Sequence, residues 1–399
     1  MPSAARFAGQ SQYSLTSRER QAKSQSIVNL VGTRWRPARD VDPGLWEKRR
    51  KEEVPSIHRA VLTGCGAMAK GWLRAIGERP DLAGQVQVVG LVDIDGAKAK
   101  ALADEFALSD ARIGSDLGAM LADVKPDVVF DVVVPPARSG VVAAALEAGA
   151  HVLSEKPMAA SMDEARRMIE LAKRHGRTHA VIQNRRFVSG MRRIRRFLDG
   201  APLGAITAVH CDFFLAPHFG GFREEMDHVL LLDMAIHTFD AMRFVVGRMP
   251  QAVYCVETNP TGSWYADGAA ANAIFEFGEG VVGTYRGSWC ADGAPTSWES
   301  AWRIVGAKGT LLWDGHDGFE ARVTSGSDGF FRETASLVVP EVEDATETQG
   351  HASVIRDFLR AIDGGTAPET VATDNIASLA MVFGAIESAG TGRRVAIEI

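Results

Sequence analysis

The tightest constraint on this chain lies between residues 60 and 69. A short apolar run, Ala60-Val61-Leu62, leads into Gly64-Cys65-Gly66-Ala67-Met68-Ala69, and a helical stretch follows at once. In a strand-turn-helix setting this G-x-G-x-x-A spacing has a physical meaning at each small residue. The first glycine allows the tight turn, the second lets backbone approach a pyrophosphate, and the small third residue lets helix and strand pack closely. The helix start then offers free N–H groups and the positive end of its dipole to an anion. Such an opening predicts a parallel sheet with a ligand at its carboxyl edge.

The punctuation downstream agrees. Strands are expected at Val86 to Val92, Val128 to Val134 and His151 to Leu153, and helices at Ala67 to Ile76, Ala97 to Phe106 and Ser139 to Ala148. Nearly continuous apolar strands between helices indicate an α/β, doubly wound parallel sheet covered on both faces. Ser161-Met162-Asp163-Glu164 reads as a capping box that starts another helix. After residue 184 the period becomes that of strands, with candidates at 205–214, 252–257, 271–277, 281–288, 301–305 and 310–313. Gly278-Glu279-Gly280 and Gly306-Ala307-Lys308-Gly309 look like hairpin turns. Helices are expected at 230–246, 353–362 and 375–388, and a final strand at 395–399. The organisation predicted is a disordered basic extension over 1–57, a dinucleotide-binding domain over 58–183, and an α+β domain with an open, mostly antiparallel sheet over 184–399.

Composition narrows the class. The chain has 399 residues, 46% hydrophobic and 24% charged, enough for two ordinary globular domains and incompatible with collagen or wholesale disorder. Residues 1–58 hold 11 Lys/Arg against 6 Asp/Glu, leaving 33 against 44 for the remainder. A body that acidic argues against a nucleic-acid groove. Four scattered cysteines, Cys65, Cys211, Cys255 and Cys290, form no C-x-x-C pair and suit a reducing compartment. With no secretory h-region and no membrane-length apolar run, a cytoplasmic protein is expected.

Several residues carry candidate chemistry. Asp93 ends the second strand 24 residues after Ala69, where a carboxylate would accept hydrogen bonds from ribose hydroxyls. Asp95 adds negative charge and no arginine adjoins, which favours NAD over NADP. Val134-Pro135-Pro136 closes a buried strand, and Glu155-Lys156-Pro157 leaves the next one on the same ligand edge. Asp233, His237 and Asp240 lie in an otherwise apolar helix at spacings that place them on one stripe. Polar groups in such a helix must satisfy each other or a ligand, and one histidine with carboxylates is a poor zinc set, so no metal is expected. Arg185 and Arg186 follow Asn184 at the domain junction, where either a substrate contact or an interdomain ion pair fits. Met191 to Arg196 reads as a solvated helix face. Five of the eight tryptophans, Trp264, Trp289, Trp298, Trp302 and Trp313, cluster within fifty residues, which suits sugar faces or, more commonly, sheet and interface packing.

The glycine motif, Asp93, Glu155-Lys156-Pro157, Asp233-x-x-x-His237 and Ser388-Ala389-Gly390-Thr391-Gly392 together resemble the Gfo/Idh/MocA oxidoreductases, named for glucose-fructose oxidoreductase and inositol dehydrogenase. The likeness runs from about residue 58 to the C-terminus. It implies an NAD-dependent oxidoreductase that moves hydride between a sugar, inositol or related polyol carbon and nicotinamide, and a homodimer or homotetramer built through the open sheet. An NAD-retaining glycosidase or a non-catalytic NAD-binding regulator are the alternatives on the same scaffold. By position, the resemblance assigns catalysis to Lys156, Asp233 and His237. His237 would exchange the alcohol proton, Lys156 would polarise the oxygen, and Asp233 would orient substrate and imidazole. It places Gly64, Gly66, Ala67, Met68, Asp93, Val134, Pro135, Pro136, Glu155 and Lys156 at the cofactor, and Arg186, His228, Asp233 and His237 at the substrate. Four positions depart from the family pattern: His228 and Val229 replace paired glycines, Ala235 replaces a glycine, and Ser139 replaces a histidine.

Overall fold

The computed structural model describes residues 56–327 and 329–399. The expected extension over 1–57 therefore lies essentially outside the described residues. The first half alternates strands with helices. β1 (His58–Thr63) leads to α1 (Ala67–Gly77), a short turn of helix α2 (Pro80–Ala83) and β2 (Val86–Val92), then to α3 (Gly96–Glu105), β3 (Arg112–Gly114) and α4 (Leu117–Val124). β4 (Val128–Asp131), α5 (Pro135–Glu147), β5 (His151–Ser154), α6 (Met162–His175) and β6 (His179–Val181) complete it. The six strands are parallel in the order β3-β2-β1-β4-β5-β6, so the order reverses at β1 and β4, and ligands bind outside the strand ends at such a switch point.

The expected 128–134 strand stops at Asp131, and the following helix starts four residues earlier than expected, at Pro135. Both shifts have local causes. The Asp131 carboxylate accepts from the Val133 N–H (3.2 Å) and from Arg138 Nε (2.9 Å), which bends the chain out of the ladder. Proline at the first helical position has its φ set for a helix and lacks an N–H that would have no partner. At α6, Ser161 caps the Glu164 N–H (3.2 Å), but the Glu164 carboxylate reaches the Ala160 N–H (3.1 Å), one residue upstream of the expected partner. β3, α4 and β6 escape sequence analysis because they are short and β3 is largely exposed.

The second half runs α7 (Ser189–Asp199), β7 (Ile206–Phe214), a π-helical turn over Leu230–Ala235 continuing into α8 (Ile236–Val246), β8 (Pro250–Thr258), β9 (Ala270–Phe277), β10 (Val282–Ser288), β11 (Ala301–Gly306) and β12 (Gly309–Trp313). β13 (Phe319–Thr324), β14 (Thr334–Leu337), α9 (His351–Gly364), α10 (Ala372–Thr391) and a two-residue β15 (Val395–Ala396) follow. The nine-stranded sheet has the order β14-β13-β12-β11-β7-β10-β9-β8-β15. It is antiparallel except where β10 lies parallel to β7. Both expected hairpins form, β9 with β10 and β11 with β12. Helices α8 and α10 lie against one side of this sheet, while Tyr254, Val256 and Ile274 stay exposed.

Helix α9 returns to the first sheet. Its Val354, Ile355, Phe358 and Leu359 share a core with Ala60, Leu62, Trp72 and Phe130. No helix among the described residues is long and apolar enough to cross a membrane, and all four cysteines are free thiols.

Candidate active site

The glycine turn connects β1 to α1 against the end of β4. Gly64 has φ +89°, and a Cβ there would lie 2.7 Å from the Val132 carbonyl carbon, so both conformation and space require glycine. Gly66 differs: a Cβ on it would meet nothing within 4 Å, so its backbone borders open space. Gly66 caps α1 without any side-chain hydrogen bond, which leaves the N–H groups of Ala67 and Met68 facing outward for an anion. Asp93 is held beside this turn. Its Oδ2 accepts the Cys65 N–H at 2.7 Å and its Oδ1 the Asp95 N–H at 2.9 Å, while Asp95 is spent on capping α3 through the Ala97 N–H. Three apolar side chains stand out in solvent around the same edge: Met68 at 44%, Ile94 at 97% and Val134 at 60% exposure. An open cradle, free helix-start donors, a fixed carboxylate and uncovered apolar flanks fit a dinucleotide.

Pro135 and Pro136 begin α5 on this edge. Behind them, Arg138 is sealed and ties the loops together. It is bonded to Asp131 and to the carbonyls of Val133 and Pro157, so the turns after β4 and β5 are fixed as a unit. Nothing in the sequence marks this arginine, which lies between the two prolines and the expected helix start at Ser139. Glu155, expected at the cofactor, turns inward instead. Its Oε1 accepts the Trp72 indole N–H at 2.7 Å and lies 3.8 Å from His351 Nε2. Burial alone would raise this carboxyl, but His351 and the other partners hold it below its usual range. Its role is to fix the segment that carries Lys156.

Lys156 crosses to the π-helical turn. Its Nζ donates to the Asp233 carbonyl at 2.6 Å and to Asp233 Oδ1 at 2.8 Å. The other carboxylate oxygen, Oδ2, accepts Arg223 Nε at 2.8 Å. Burial pushes the Asp233 carboxyl up, and the two cations overcome it and hold it below the ordinary range. His237 lies one turn along the helix, is half-buried as a residue, and has its Nδ1 sealed without a partner among the described residues. Burial first, then the charges of Lys156 and Arg185, push the imidazole well below its usual pKa, so it is neutral at pH 7. Around it lies a narrow recess lined by Arg185, Thr238, Trp298, Glu299 and Ser300. Arg185 is ion-paired with Glu299, whose carboxyl is raised by burial. Of the five clustered tryptophans, Trp289, Trp302 and Trp313 are buried, and Trp264 stacks on His218, whereas Trp298 keeps an exposed face beside His237.

Two expected substrate contacts belong elsewhere. Arg186 is buried and clamps Asp240 through Nε and Nη2, both at 2.7 Å, and reaches Asp374 at 2.9 Å. It is an internal ion pair, and Asp240 therefore leaves the Asp233/His237 stripe. The cause is packing: α10 brings Asp374 and Ser378 onto this side of α8, and Ser378 donates to Asp240 at 2.6 Å. His228 adopts φ +51° at the start of the helix and turns its Nδ1 to Glu257 Oε2 on β8 at 2.5 Å. Its backbone N–H is bonded to Asp267. His228, Glu257 and Asp267 offer ligand-type atoms within 4.8 Å of one another, and the short His228–Glu257 hydrogen bond engages the imidazole there. Arg223 and His351 were missed, since the loop and the helix start that carry them show no motif.

Residues 58–183 match the model of an oxidoreductase family with an NAD-binding Rossmann fold, GFO_IDH_MocA. Residues 191–312 match the GFO/IDH/MocA C-terminal domain. The chain is 26% identical over 351 residues to the uncharacterized protein y4oX of Sinorhizobium fredii, covering 86% of this chain and 96% of that protein. It is 25% identical over 349 residues to D-apiose dehydrogenase of Paraburkholderia graminis, covering 85% and 90%. Among solved structures, an Agrobacterium radiobacter oxidoreductase in complex with NAD+, L-tartaric acid and magnesium superposes with a TM-score of 0.75 at 19% identity. That match covers 86% of this chain and 99% of the other, and it shows a shared fold.

Proposed function

The chain belongs to the Gfo/Idh/MocA oxidoreductase family, and from that premise we propose that it is an NAD-dependent dehydrogenase acting on a CH–OH carbon of a sugar or related polyol. The observation that carries the reading is the bonding of Lys156 to Asp233 beside an imidazole that stays neutral. A neutral imidazole can take a hydroxyl proton as the alcohol is oxidised and return it in the reverse direction. An ammonium has three donors, and Lys156 spends two on Asp233, leaving one N–H for the substrate oxygen. Held at a fixed point by Asp233, that donor stabilises the negative charge developing on oxygen without reorganising. Asp233, ionised between two cations, acts as the positioning carboxylate. The exposed face of Trp298 suits the C–H surface of a ring substrate.

The groups suited to hold the dinucleotide are the Ala67 and Met68 N–H groups at the pyrophosphate, Asp93 at the ribose, and Val134 and Pro135 along the edge. When bound, the nicotinamide supplies the hydride acceptor, and the protein positions and polarises. Asp93, with Asp95 two residues on, would repel a 2′-phosphate, which favours NAD over NADP. Relatives named D-apiose dehydrogenase and inositol 2-dehydrogenase are consistent with a sugar or polyol substrate. The exposed Tyr254, Val256 and Ile274 of the nine-stranded sheet suit a face shared between copies of the chain.

The deciding experiment follows absorbance at 340 nm with NAD across a panel of sugars, inositols and glycosides. Net NADH formation supports the dehydrogenase. Glycoside cleavage without net NADH would replace it with a cofactor-retaining glycosidase, and NAD binding with no turnover of any kind would leave a regulator.

A further inference from the structure

Resting on the dehydrogenase reading above, we propose that Arg223 forms an anion subsite beside Lys156, and that the preferred substrates are polyols or sugars bearing a carboxylate, that is, sugar acids. Arg223 bonds to Asp233 through Nε alone. Among the described residues neither of its Nη atoms makes a hydrogen bond, and the side chain is 29% exposed. The end of the guanidinium fork, with both Nη groups, is thus unspent, and two parallel N–H groups match a carboxylate in bidentate fashion.

The other charged groups of the cluster are committed to partners. Lys156 and Arg223 share the single carboxylate of Asp233. The neighbouring Arg185 is matched by Glu299, and Glu155 is turned into the core against Trp72. The bond to Asp233 thus occupies only the Nε side of Arg223 and leaves its outer Nη groups to an incoming anion.

The subsite is continuous with the proposed reaction centre. The guanidinium lies 5.1 Å from the Phe219 ring centroid and 5.0 Å from that of Phe222, which holds it over an aromatic shelf. Phe219 in turn packs against Trp289 (5.1 Å) and Trp298 (6.3 Å), and Trp298 lines the recess at His237. A ring lying on this aromatic wall could present its hydroxyl to His237 and Lys156 and its carboxylate to Arg223.

The test uses the full chain with NAD and matched substrate pairs, D-glucuronate with D-glucose, D-galacturonate with D-galactose, and D-gluconate with D-sorbitol, read as kcat/KM from 340 nm absorbance. The acid of at least one pair should exceed its neutral partner by about 10–100-fold, the size expected for losing a charge-assisted bidentate contact. Arg223→Gln should abolish that preference by lowering kcat/KM for the acid more than for the neutral compound, and Arg223→Lys should restore part of it. Unchanged NAD affinity and thermal midpoint would confirm that both variants fold. Two outcomes overturn the subsite while leaving the dehydrogenase intact: neutral substrates turned over as well as acids by the unaltered protein, or both members of a pair losing equally in Arg223→Gln, which would limit Arg223 to holding Asp233. Turnover of neither class would remove the parent reading and this inference with it.

Discussion

Asp233 and Asp240 stand seven residues apart on one helical run, each beside two cations, yet their surroundings differ. Asp240 is fully buried, gripped by Arg186 at 2.7 Å, approached by Arg243 at 3.6 Å and bonded to Ser378. Asp233 retains 13% side-chain exposure, and its partners, Lys156 and Arg223, come from segments at the open edge with donors left over. The same residue types thus produce an internal tie at one end of the helix and, at the other, the cluster proposed as the reaction centre. Reactivity follows from unspent hydrogen-bonding capacity and access, and charge pairing alone does not reveal it.

The sharpest way to break this contrast is to remove a group from each end. His237→Ala should lower kcat by about 10²–10⁴-fold while leaving NAD affinity and the thermal midpoint nearly unchanged. If affinity measured by fluorescence titration falls as much as turnover, the assigned role is wrong. At the other end, Arg186→Met strands Asp240 in the core and should cost about 3–5 kcal/mol of stability, read by urea unfolding, with kcat per folded molecule preserved. A selective loss of activity without destabilisation would put Arg186 back at the substrate.

Smaller effects sharpen the picture at the cofactor edge and around the imidazole. Asp93→Ser should raise the NADP/NAD ratio of kcat/KM by about tenfold, the scale of one charged hydrogen bond, and an unchanged ratio would remove Asp93 from the ribose. The smallest expected effect concerns pH. Because burial and nearby cations depress His237, it stays unprotonated until the pH falls below its ordinary value near 6.5, so the acid limb of kcat/KM for alcohol oxidation should lie below that point. Arg185→Gln removes one of those cations, makes protonation easier, and should move the limb upward by less than about one pH unit. A downward move would contradict the sign.

Much of the first domain was legible because its signals are local. Glycines at a strand-to-helix turn and a serine cap act through neighbours a few residues away, and the local pattern gives nearly the observed boundaries of α1 and β2 and the start of α6. The strand end at Asp131 was missed for a local reason, its bonds to Val133 and Arg138, whereas the side chains misplaced around the site were captured by partners further along the chain. Arg186 leaves the proposed pocket because Asp240 and Asp374 capture it from 54 and 188 residues away. His228 is drawn to Glu257 across 29 residues, and Arg223, in a loop with no motif, reaches Asp233.

By itself the order of residues determined the α/β class, the six-strand alternation's main elements, the nucleotide-suited turn and the identity of the polar side chains set into an apolar helix. Periodicity and turn chemistry are short-range, so they survive in one dimension. Only the tertiary structure decided which of those polar groups are sealed by partners and which keep open donors beside a cleft. That choice depends on desolvation and on ion pairs closed by remote helices and loops, and neither is encoded in spacing along the chain.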